Sequence, residues 1–211
     1  MTLLGWLNLR RFFNILVPVV ILMVTGGCSF THTYKQPIHN VSLPTVQDRI
    51  NLRVKLELSD DLLNSNLVTF YDPDRYIVPM GENLSYHSIQ LVKNVFTDPI
   101  IPGDNVSPEV DVAVYILTPK IISATSIRAK DAKTTIVIEW SLSNKSTGKT
   151  VWVETVSGEG SAHHGVPNLS LKEGNQTERF EMALRDLFEK SQSAMLSSNI
   201  LRKLSNVPNT Y

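Results

Sequence analysis

From Ile50 to Leu58 the chain alternates without a break. Ile50, Leu52, Val54, Leu56 and Leu58 fall on one side, and Asn51, Arg53, Lys55 and Glu57 on the other. A period of two with one polar face predicts a half-buried strand of antiparallel type. Leu67–Tyr71 and Tyr76–Val78 flank the turn sequence Asp72-Pro73-Asp74-Arg75, and Pro79 and Gly81 end the second piece. Over Asn83–Phe96 the period becomes helical: Leu84, Ser88, Leu91, Val92, Val95 and Phe96 make one stripe, closed by Thr97-Asp98-Pro99. Val110–Thr118 is rich in β-branched residues. Pro119 then marks a bend or a sheet edge before Ile121-Ile122.

Thr134–Leu142 and Thr150–Ser157 flank Asn144-Lys145-Ser146-Thr147-Gly148, the strongest hairpin signal in the chain. An even loop length places Ile136, Ile138, Trp140 and Leu142 on the same face as Val151, Val153 and Thr155. Trp140 and Trp152 then point to opposite faces. Residues 158–175 are Gly-rich and polar and read as a loop. Asn175 is placed to cap a second helix, with Glu178 in its first turn and an inner stripe of Phe180, Ala183, Leu184, Leu187, Phe188, Ser191, Ala194 and Met195. Ser197-Ser198 breaks that helix and recaps a short one bearing Ile200, Leu201 and Leu204. The order predicts an α+β fold, a mostly antiparallel sheet with two helices packed on one face.

The first 27 residues have a different character. They hold no acidic residue and two basic ones, Arg10 and Arg11, and Ile15–Val24 is unbroken apolar chain. About ten apolar residues are too few to span a bilayer, which needs roughly 20. A basic start, a short apolar run and then small residues is the order of a signal peptide. Thr25-Gly26-Gly27 leads into Cys28, the only cysteine. This resembles the lipobox of bacterial lipoproteins. Val24 and Gly27 fit the pattern, while Thr25 stands where Leu is usual. The resemblance implies that Cys28 receives a diacylglycerol, that residues 1–27 are cleaved, and that the new amino terminus is acylated. Two or more acyl chains give a stable anchor. Ser29, rather than Asp, implies by the same resemblance sorting to the periplasmic face of the outer membrane. Residues 28–48 then form the lipidated Cys and an extended tether, and 49–211 a single periplasmic domain. The order from the hairpin to the C-terminal helices also looks like small outer-membrane lipoproteins of the YajG type. More distantly, it is similar to the lipoprotein that plugs the lipopolysaccharide export pore.

Charge and chemistry narrow the function. Twenty basic and twenty acidic residues give zero net charge, which offers no bulk attraction to nucleic acid. A single cysteine excludes an internal disulfide. His163 and His164 are adjacent, so in extended chain their rings diverge and do not share a metal. Gly158-Glu159-Gly160-Ser161 lacks the strand–elbow–helix context of a nucleophile. Asp60-Asp61 and Asp72 with Asp74 sit at turns. No cofactor is expected beyond the covalent lipid, and the chain reads as a non-enzyme. The leading reading is an envelope lipoprotein that binds a protein partner or supports outer-membrane assembly. Its candidate surface is Trp152, Glu154, His163 and His164, because tryptophan is enriched at binding hot spots. The alternative is a ligand-binding lipoprotein for peptidoglycan or lipid. An envelope hydrolase is the third class.

Overall fold

The computed structural model describes residues 31–33, 41–71, 74–103, 114–127, 133–161 and 174–206. The expected signal segment, Cys28, His163 and His164 lie outside the described residues. In chain order the elements are β1 (Thr31–Thr33), β2 (Ile50–Leu56), α1 (Asp60–Leu63), β3 (Asn66–Tyr71), β4 (Asp74–Pro79), α2 (Gly81–Val95), β5 (Phe96–Ile100), β6 (Tyr115–Ile127), β7 (Lys133–Asn144), β8 (Thr150–Ser161), α3 (Gly174–Ser197) and α4 (Asn199–Ser205).

The class is α+β, but the main sheet is mixed rather than mostly antiparallel. Its order is β5-β2-β6-β7-β8. β2 runs parallel to both neighbours, β5 and β6, while β6, β7 and β8 are antiparallel. The alternation in β2 was a sound sign of one wet face. It did not imply antiparallel neighbours, because helices cover only one face of this sheet and a parallel strand can then alternate too. β5 had no signal in the sequence. It follows α2 without a loop and contains Pro99, which an edge strand tolerates because its missing N–H can face solvent. Across the β2–β5 pair, Arg53 Nε lies 3.1 Å from Asp98 Oδ2, an ion pair by distance.

β6 is one continuous strand through Pro119. β2 pairs with it only from Tyr115 to Leu117, so beyond that point β6 has β7 alone as a neighbour and the proline removes no ladder bond from β2. A register shift between Ile121 and Ser123 turns Ile122 out to solvent. β3 and β4 form the expected hairpin around residues 72–73, and β1 pairs parallel to β4 in a second, three-stranded sheet.

One core unites these layers. Ile50, Leu52, Val54 and Leu56 from β2, with Ile136, Ile138, Trp140 and Leu142 from β7, meet Leu84, Leu91, Val92 and Val95 of α2. They also meet the α3 stripe from Phe180 to Met195. Both helical stripes follow the predicted spacing, except that α2 ends at Val95 and Phe96, expected in the first stripe, is extended and opens β5. α3 begins at Gly174, so Asn175 lies inside the helix and does not cap it. Ser198 caps α4 as expected, its Oγ accepting from Leu201 N at 3.3 Å. The segment before β2 is seated on the domain. Val41 joins the core, and the carbonyl of Pro44 accepts from Asn94 Nδ2 and Gln192 Nε2, each at 2.8 Å, linking α2 to α3. The packed chain therefore starts by Val41, ahead of the expected boundary at residue 49.

Candidate functional site

The hairpin β7–β8 carries the expected binding residues, and its turn is built locally. Asn144 Oδ1 accepts from the N–H groups of Ser146 (3.1 Å) and Thr147 (3.0 Å) and from both hydroxyls (2.7 and 3.1 Å). Gly148 takes φ 66, a left-handed value that suits glycine. Just beyond the turn the register shifts: Ser143 pairs with Thr150 and Leu142 with Trp152, leaving Val151 as the extra residue of a bulge.

From there Trp140 pairs with Glu154, Ile138 with Val156 and Ile136 with Gly158. Opposed residues share a face, so the expected register is wrong by one residue. Val153 and Thr155 do not join Trp140 and Leu142, whereas Val151, the bulge residue, is half-buried and packs against the core. Trp152 and Val156 join Trp140 and Leu142 instead. The physical reason lies at the far end of the strand. The stretch expected as a loop from 158 is strand to Ser161, and Gly158 and Gly160 lie on the inner face beneath α3. A Cβ on Gly158 would sit 2.2 Å from Ala183 O, and one on Gly160 1.9 Å from Arg179 O. The two glycines let the helix backbone lie directly on the strand. That fixes which face of β8 is inward.

α3 also reaches around the edge of β8, the last strand of the sheet. Asp186 Oδ2 accepts from Glu159 N at 2.9 Å, and Lys190 Nζ donates to Ser157 O at 3.3 Å. The two side chains pair with each other at 2.6 Å. Deeper in, Trp140 Nε1 donates to Ser191 Oγ (3.0 Å), which donates to Leu187 O (2.8 Å).

Of the four expected partner-binding residues, Trp152 and Glu154 are described and lie two apart on one face of β8, and His163 and His164 lie outside the described residues. Trp152 is 5% exposed and belongs to the core, so its ring is not a contact surface. Glu154 is half-buried on the same inner face. What faces solvent on the hairpin is the opposite side, where Val153 is 49% exposed and Thr155 is exposed, with Val137 half-buried beside them. The sequence carried one usable signal for this: alternating glycines at 158 and 160 continue the β8 period and mark a strand that a helix approaches closely.

A second feature is a groove of about 540 Å³ at the carboxyl ends of the parallel strands β2 and β5. It is floored by Leu56, Leu58, Leu63, Ile89, Ile100 and Ile101, with Lys55 and Glu57 also lining it. Between α2 and α3 the buried polar residues Asn83, His87 and Ser88 sit inside the core, His87 with its ring centroid 5.3 Å from that of Phe188. Among the described residues, no three His, Cys, Asp or Glu side chains cluster to hold a metal ion, and no helix is long and apolar enough to cross a membrane.

No family model matches the chain, and no curated protein matches it. Some solved structures align with it at low similarity. The Xanthomonas campestris protein XCC0632, of family DUF330, is 13% identical with a TM-score of 0.46, over 80% of this chain and 92% of that one. PelC from Paraburkholderia phytofirmans, a dodecamer, is 13% identical with a TM-score of 0.43, over 76% and 94%. A Caulobacter crescentus putative lipoprotein is 13% identical with a TM-score of 0.38, over 72% and 90%.

Proposed function

We propose that this chain is a bacterial envelope lipoprotein, anchored to the periplasmic face of the outer membrane through an acylated Cys28, whose domain acts without catalysis by binding a protein partner. The observation that carries the reading is the order of the first 28 residues: two arginines, an unbroken apolar run, small residues, then the only cysteine. The two long helices, α2 and α3, lie on one face of the main sheet. The other face, with Val137, Val153 and Thr155, is left as the surface a partner would meet. The test is metabolic labelling with an alkyne fatty acid, followed by density separation of the two membranes. The wild-type chain is expected to carry label and to travel with the outer membrane, and Cys28→Ala to lose both properties. Unchanged labelling of Cys28→Ala would overturn the anchor. Labelled protein in the inner membrane would overturn the sorting alone.

A second reading, an apolar ligand such as a lipid chain, is favoured by the groove over Leu58 and Ile89. Its volume lies within the usual ligand-site range of about 300–1,000 Å³. Titration with a fluorescent fatty acid separates the two readings. Saturable binding that Ile89→Glu abolishes would support the lipid, and no binding would remove it.

A further inference from the structure

The β3–β4 hairpin is rooted in the core at one end and reaches outward to its turn at the other. Leu67 and Val78, opposite each other, are buried, and the next pair, Val68 and Ile77, is half-buried. Three further pairs follow toward the turn: Thr69 with Tyr76, Phe70 with Arg75 and Tyr71 with Asp74. At about 3.3 Å per residue, Tyr71 stands roughly 13 Å beyond Leu67 along the strand. β1 runs beside this outer part, with Thr31 opposite Arg75 and His32 opposite Tyr76. The chain therefore enters the described fold next to the turn end of the hairpin, three residues after Cys28.

Aromatic residues concentrate there. Thirteen follow Cys28 in the sequence, and five of them fall in two short stretches: Phe30 and Tyr34 on either side of β1, and Phe70, Tyr71 and Tyr76 in the hairpin. Tyrosine joins an apolar ring to a polar hydroxyl and collects where hydrocarbon gives way to water. By the two-residue period, positions 71 and 76 share a face with Leu67 and Val78, and position 70 shares the other with Arg75 and Thr31. A partner docking on one face would meet only part of this set. A layer entered end-on meets all three. Lys35 and Arg75 balance Asp72 and Asp74 in these stretches, so charge neither draws the hairpin to anionic headgroups nor repels it from them.

We propose that the turn end of the β3–β4 hairpin seats in the headgroup layer of a phospholipid bilayer, with Phe70, Tyr71 and Tyr76 as its interfacial residues, so that one end of the domain faces the membrane. The inference rests on the Cys28 anchor and adds to it which part of the domain the bilayer meets. The two contributions differ in kind. The acyl chains supply the affinity. The aromatic positions supply the direction, because a lipid on a short tether holds the domain near the membrane without choosing the surface it presents.

Fluorescence quenching tests it on the lipidated chain reconstituted in vesicles of phosphatidylethanolamine and phosphatidylglycerol that contain lipids brominated near the headgroup end of the acyl chain. Trp140 and Trp152 are buried and give a constant background. Tyr76→Trp and, separately, Phe70→Trp each add one tryptophan to the hairpin, and Thr155→Trp adds one at an exposed position of β8. The emission added at the hairpin is expected to be quenched about threefold more strongly than that added by Thr155→Trp. Tyr76→Ser supplies the second measurement, and its urea midpoint in detergent is expected to equal that of the parent. The proposal is overturned if the hairpin tryptophans are quenched no more than Thr155→Trp in vesicles with which the parent chain floats, and the Cys28 anchor then stands. A lowered midpoint for Tyr76→Ser places that residue in the domain's own packing and also overturns the seating. A parent chain that does not float with the vesicles overturns the anchor, and the seating with it.

Discussion

Replacing Gly160 by alanine would set a Cβ 1.9 Å from the carbonyl oxygen of Arg179 and 2.7 Å from Ala183 N. Ordinary contact begins near 3.4 Å, so the shortfall at Arg179 is about 1.5 Å. Both atoms belong to the backbone of α3, and no rotamer change relieves them. Either the helix lifts from β8 or the strand bows away. Gaps of 0.5–1 Å already forfeit roughly a quarter to a half of the dispersion attraction between the surfaces. The contact layer here includes Phe180, Ala183 and Leu187, all fully buried. Lifting also strains the bond from Glu159 N to Asp186. Overpacking typically costs about 1–3 kcal/mol, and a clash with backbone belongs at the upper end, about 3 kcal/mol. Trp140 and Trp152 are both buried, so tryptophan fluorescence in urea follows the unfolding. For a domain of this size the same loss lowers the melting temperature by roughly 6–12 °C. Gly103→Ala is the comparison. It has φ 90 and no neighbour within 4 Å, so it feels backbone strain of about 1–2 kcal/mol without any steric contact. A Gly160→Ala midpoint equal to that of the parent would refute the close approach of α3 to β8.

Trp152→Ala is expected to destabilise by about 3–5 kcal/mol in the same assay, as removal of a buried aromatic does. A stable variant would return Trp152 to the surface. Ser191→Ala takes the acceptor from a buried indole N–H and is expected to cost about 1–3 kcal/mol. Combining it with Trp140→Phe should recover part of that loss, and strict additivity of the two would argue against the bond. Ser198→Ala removes the cap of α4 at a cost of about 1 kcal/mol, read as faster amide exchange over residues 199–205. Unchanged exchange there would mean the cap contributes nothing.

Much of this architecture was legible because packing in it is simple and periodic. The α2 and α3 stripes and the β2 alternation each face a single core, and a 3.6- or two-residue period reports that directly. The Ser197-Ser198 break was legible because a serine cap is a local device. β5 was not, since Phe-Thr-Asp-Pro-Ile has no strand chemistry of its own and is held by its neighbour β2 and by the Arg53–Asp98 pair. The hairpin register failed for a related reason. Loop length alone does not fix it when a bulge at Val151 absorbs a residue, and what decides the face is α3 resting on two glycines distant in sequence from the turn. The burial of Trp152 follows from the same slip: one residue exchanges Trp152 for Val153 at the solvent.

The pairing of β1 with β4 sets the length of a leash. Thr31 lies opposite Arg75, and only Ser29 and Phe30 separate it from Cys28. Three links of extended chain reach at most roughly 10 Å. A lipid on Cys28 would thus be held about a nanometre from the first residues of β4, and the second, smaller sheet would stand at the bilayer surface as a foot. The body could swivel on that foot but could not roam, and whatever it meets would have to come to the membrane. A spin label on Arg75→Cys should then feel lipid-soluble relaxation agents, and ten flexible residues inserted between Cys28 and Thr31 should release it. A label insensitive to that insertion would mean the foot is not where the chain is moored.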